Sequence, residues 1–134
     1  MGAEQALLVT RKGRLMVELR LELSFAVGDR DGQPLPTERL HAVGEQLMEA
    51  LLDLEGCNDG LKDPATSSDS DLSEVTIDLL VAAASDTEAV GVALNLCRTA
   101  IHAIGASTPN WPSDPASSAD TDFRPKNVQF DYVS

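Results

Sequence analysis

From Leu15 onward the apolar residues fall on odd positions: Leu15, Val17, Leu19, Leu21, Leu23, Phe25 and Val27. Glu18, Arg20, Glu22 and Ser24 stand on the even positions between them. Side chains alternate across a strand, so the pattern predicts one long strand with one face buried and the other wet. Helical spacing would scatter both sets around the axis.

A turn at Gly28-Asp29-Arg30-Asp31-Gly32 ends the alternation. Pro36, Thr37 and Glu38 suit a helix start, where proline costs least and an acid favours the dipole. Leu40, Val43, Leu47, Leu51 and Leu54 then form a single stripe, with Gly56 as its stop. Residues 57–72 are polar, and a short edge strand is placed near Ala65 to Asp69. Alternation returns in Val75, Ile77, Leu79, Val81 and Ala83.

Ser85-Asp86-Thr87-Glu88 matches a capping box. The helix it opens carries Val90, Leu94, Cys97, Ile101 and Ile104 on one face and closes at Gly105. Residues 106–125 hold four prolines and many Ser and Asp, which predicts a long surface loop. Val128, Phe130 and Tyr132 mark a final strand.

The order is strand-helix-strand-strand-helix-strand, which implies an α+β domain with two helices on one face of an antiparallel sheet. On the Leu15–Val27 alternation, the two helices with their start and stop signals and the closing Val128–Tyr132 strand, the chain resembles the ferredoxin-like α/β plait. In pattern it is also similar to small bacterial proteins of unassigned role. The resemblance implies a βαββαβ domain over 14–134 and no particular activity, because this fold hosts many. It also implies pairing of copies through the open sheet face or an edge. Residues 1–13 are read as a tail or an extra strand. Ala6-Leu7-Leu8-Val9 followed by Arg11-Lys12-Gly13 could form a hairpin with the first long strand. Since the plait already flanks that strand on both sides, an added strand would otherwise need another location, on a partner subunit for instance.

The formal charge is −12, from ten basic and twenty-two acidic residues. That sign disfavours nucleic-acid backbones and anionic membranes. No apolar run approaches the ~20 residues of a spanning helix, and Met1 to Thr10 lacks signal-peptide features. With only two cysteines, Cys57 and Cys97, a cytoplasmic setting is expected.

His41, early in the first helix, and His102, late in the second, are expected toward one end of the sheet. The loop bearing Trp111 leaves from that end too, so these three residues are the candidate ligand-binding set. Thr108–Trp111 is read as a lid over it. Nothing fixes a nucleophile or a third ligand beside the histidines, so no catalytic set is assigned. Cys97 falls in a buried stripe and His102, five residues on, leaves the helix at another angle; no metal site or cofactor is expected.

The wet strand positions, Glu18, Arg20, Glu22, Thr76, Asp78, Gln129 and Asp131, carry carboxylates but no aromatic ring for stacking bases. Glu18 and Glu22 would lie about 13 Å apart, so any close carboxylate partner must come from a neighbouring strand. Gly28 and Gly32 lack phosphate-loop spacing, and Asp29 and Asp31 would repel phosphate. The expectation is a non-enzymatic binding or assembly module, homo-oligomeric or joined to a partner protein. The alternatives are a small-molecule sensor or an enzyme using His41 and His102.

Overall fold

Both edges of one long strand organise the sheet. The structure, a computed structural model, describes residues 8–11, 14–58, 60–108 and 121–132. Its elements are β1 (Leu8–Arg11), β2 (Arg14–Asp29), α1 (Thr37–Cys57), β3 (Leu61–Asp69), β4 (Glu74–Ala83), α2 (Asp86–Ala103) and β5 (Thr121–Tyr132). The ladders between these strands are all antiparallel. β4 lies along one side of β2, and β3 pairs with β4 beyond it. On the other side of β2, β5 covers Leu19–Asp29 and β1 covers Arg14–Val17. The chain is therefore α+β, with a β-α-β-β-α-β order following the short β1.

Of the alternatives for the N-terminal segment, the structure shows the hairpin with the first long strand. β2 is sixteen residues long, and its pairing with β5 stops at Leu19. The vacant stretch takes β1 as a hairpin.

The alternation of β2 is realised as burial. Leu19, Leu21, Leu23, Phe25 and Val27 are buried, while Arg20 and Glu22 are exposed. Val75, Ile77, Leu79, Val81 and Ala83 of β4 join them on the same face, and α1 lies over β3 while α2 lies over β4 and β2. Leu40, Val43, Leu47 and Leu51 bury as their stripe predicts.

The stripe of α2 differs from the expected one. Ala89, Ala93, Leu96, Cys97, Ala100 and Ile101 are buried, whereas Val90, Leu94 and Ile104 are only partly so. Small alanines let this helix sit close against the sheet, and the larger residues flank the contact.

Several ends also differ in detail. Gly56 falls inside the last turn of α1, and the Asn58 side chain instead donates to the Leu54 carbonyl at 2.8 Å. At α2, Ser85 accepts from the Glu88 N–H at 3.1 Å, and the Glu88 carboxylate reaches back to the N–H of Ala84 at 3.2 Å. Gly105, at φ +84°, closes that helix with the paired Gly105→His102 and Ala106→Ile101 bonds of a Schellman end.

β3 begins earlier than expected, at Leu61, because a bulge absorbs the irregular residues. The register shifts between Lys62 and Ala65, with Asp63 at φ +49°. β5 likewise begins at Thr121, inside the segment read as loop. A register shift opposite Ser24 and Phe25 admits Pro125 and Lys126. Phe123 is fully buried and meets Phe25 edge-on at 5.9 Å between ring centroids.

Candidate functional site

Two features stand out, one at the helix ends and one on the far sheet edge. The first is a cavity of about 310 Å³ between the start of α1 and the end of α2. Arg39, Ala42, Val43 and Gln46 line it from α1, Ile104, Gly105 and Ala106 from the α2 terminus, and Thr121 from β5. The left-handed turn at Gly105 brings the chain back across this end. Ser107 then makes a parallel bridge to Asp122, with Ser107 N–H donating to Thr121 at 2.9 Å and Phe123 N–H donating to Ser107 at 2.8 Å.

Arg39 is the one cationic side chain among the lining residues, and its Nη2 donates to Thr121 Oγ1 at 3.0 Å. A guanidinium carries five donors, so the group can also take a carboxylate or phosphate. Sequence reasoning passed over Arg39 because, in one dimension, it is an ordinary polar residue in the first turns of a helix.

The predicted residues divide differently. α1 and α2 do bring their early and late residues to one end. Neither histidine, however, lines this cavity. His41 is exposed over a separate shallow depression bordered by Thr37, Glu38, Ala42 and Glu45. His102 Nε2 shares a hydrogen bond of 2.9 Å with Thr108 Oγ1, a wholly buried hydroxyl, which anchors the chain just beyond the helix. Trp111, and with it the lid idea, lies outside the described residues.

On the open sheet face the register places Asp78 directly opposite Glu22, the close carboxylate neighbour that a single strand could not supply. Lys62 approaches Glu18 at 3.9 Å, and Ser24 and Thr76 share a hydrogen bond of 3.2 Å. Among the described residues, no group of three or more His, Cys, Asp or Glu converges. Cys57 is exposed, whereas Cys97 is buried and burial pushes its thiol far above the ordinary range.

The Gly28–Gly32 turn explains its own acids. The Asp29 carboxylate accepts from the N–H groups of Asp31 and Gln33, each at 2.9 Å, and so occupies donors that a phosphate would need. Gly28 is required there, since a Cβ would meet the Gln33 carbonyl oxygen at 2.9 Å.

The second feature is the far edge. The register puts Val128, Phe130 and Tyr132 opposite Leu23, Leu21 and Leu19, on the side of the sheet that carries the helices. Yet they are 37%, 44% and 46% exposed, while their partners are buried. The Tyr132 hydroxyl reaches a helix, donating to the Asp86 carboxylate at the start of α2. An apolar row on a sheet edge is therefore left partly in water.

No described helix is long and apolar enough to cross a membrane. Comparison with known protein families, with characterised proteins and with solved structures finds no match.

Proposed function

We propose that this domain is a binding or assembly module acting through the β5 edge. The observation that carries the reading is the exposed row of Val128, Phe130 and Tyr132 on that strand. An edge strand offers backbone donors and acceptors to another chain, and natural sheets usually blunt such edges with charge or proline. Pro125 and Lys126 do so at the bulge; the stretch after them presents apolar side chains instead. Strand addition gains affinity from the main chain and selectivity from alternate side chains.

The plait reading of the fold belongs here too. Setting β1 aside, the strands run β5-β2-β4-β3, so each strand-helix-strand unit straddles a strand of the other. That interleaving supports a plait to which β1 adds an extra hairpin.

Tagged wild-type and Phe130→Lys chains isolated gently from the native cell would test the function. A companion, whether another protein or the same chain, should accompany the wild type and be lost from the variant. Identical associations for both would refute the reading.

Arg39 favours a second reading, a sensor of small anions. The cavity reaches the lower end of ligand-pocket sizes and holds a guanidinium. Small carboxylates or phosphate esters should then raise the melting temperature of the wild type but not of Arg39→Ala. A panel without such a difference would dismiss it.

A further inference from the structure

We infer that the occupant of the β5 edge is a second copy of this chain, joined β5 to β5 antiparallel with Phe130 facing Phe130. The inference rests on the reading of β5 as an interaction edge. β5 pairs with β2 on one side and with Ser107 at Asp122 on the other. Past Phe123 no other described strand pairs with that outer side, which a ladder could use. A two-fold axis perpendicular to the sheet keeps each residue on its own face. Opposed residues must therefore come from the same face, and the axis must pass midway between the two copies of one residue.

Few such registers survive inspection. An axis at Asp131 opposes two carboxylates, and like charges directly opposite destabilise a ladder. An axis at Val128 sets Lys126 against Phe130, and one at Gln129 sets it against Tyr132. Lys126 is the residue left over at the bulge, and it turns to Glu74 on the open face. An axis at Phe130 instead places Val128 against Tyr132 twice and Phe130 against itself. On the open face it sets Gln129 against Asp131, so no like charges meet. The row is thus complementary to its own reverse.

The patch is small. Aromatic side chains cover roughly 150–250 Å² each when fully buried, and these are already about half covered, so the contact falls in the size class of weak, reversible association. Each copy carries −12, so repulsion opposes pairing and added salt should strengthen it.

Sedimentation of the wild type across concentration and salt should show a monomer–dimer equilibrium that shifts toward dimer with both. To fix the register, Gln129→Cys and Asp131→Cys chains, each also Cys57→Ser, would be oxidised separately and mixed. Opposed residues lie about 4.5–5.5 Å apart, within disulfide reach, whereas diagonal ones lie ~7–8 Å apart. The mixture should therefore cross-link several-fold more than either variant alone, with the apolar row left intact. A protein monomeric at every concentration, or a dimer without the mixed cross-link, would overturn the inference. If either result came with companions still lost from Phe130→Lys in cells, only the self-pairing would fall and the β5 edge reading would stand.

Discussion

Ser73 holds a left-handed backbone, φ +51°, at the turn into β4, and it is buried. Its hydroxyl donates to the Val27 carbonyl at 2.6 Å and accepts from the Leu35 N–H at 3.1 Å. Ser73→Ala leaves that buried N–H without this acceptor, and should cost about 1–3 kcal/mol in urea unfolding. Ser73→Gly loses the same bonds but relieves the backbone, so it should be milder by up to ~1 kcal/mol. Equal losses would mean that the backbone carries no strain. Cys97 gives a pH-dependent prediction. Its thiol stays protonated in the fold, because burial raises its pKa, while the unfolded chain ionises it above about pH 8.5. Below that pH both states hold the proton and nothing changes. Above it only the unfolded state releases the proton, so stability falls by up to ~1.4 kcal/mol per pH unit. Unfolding of Cys97→Ala between pH 8 and 10 should show a shallower decline than the wild type. Parallel declines would remove Cys97 from the account.

Among the elements, α2 offers the sharpest test of packing. Ala93 is wholly buried and Val90 only partly. Ala93→Leu should therefore cost about 1–3 kcal/mol by overpacking, and Val90→Ala about 1 kcal/mol or less, by thermal unfolding. The reverse order would mean that the helix presents another face. This element also shows where legibility ended. The alternations of β2 and β4 were readable because period two survives in one dimension. On α2 the larger Val90, Leu94 and Ile104 drew the eye, although tight packing selects the alanines. Phe123 was hidden among Ser, Pro and Asp, since a proline at a bulge costs a strand little. The cavity at the helix ends was half legible. Element order brought the right ends together, but which of Arg39, His41 and His102 turns inward depends on helix rotation, to which single polar residues give no clue. The exposure of Val128, Phe130 and Tyr132 was not legible at all. Alternation says that they share a face, and only the position of α2 decides whether anything covers it.

At the scale of the whole molecule, the sheet is built around β2, with β4 on one side and β5 and β1 on the other. Asp29 and Thr121 are paired although 92 positions separate them, 121 − 29. Synthesis at ~5–20 residues per second puts roughly 5–20 s between the emergence of these two strands. For that interval β2, the most leucine-rich strand of the chain, can shelter one side against β4 but not the other. A nascent chain halted after α2 would thus present the backbone edge of β2 unpaired from Leu19 to Asp29, an invitation to chaperones or to aggregation, while β1 guards only the first few positions.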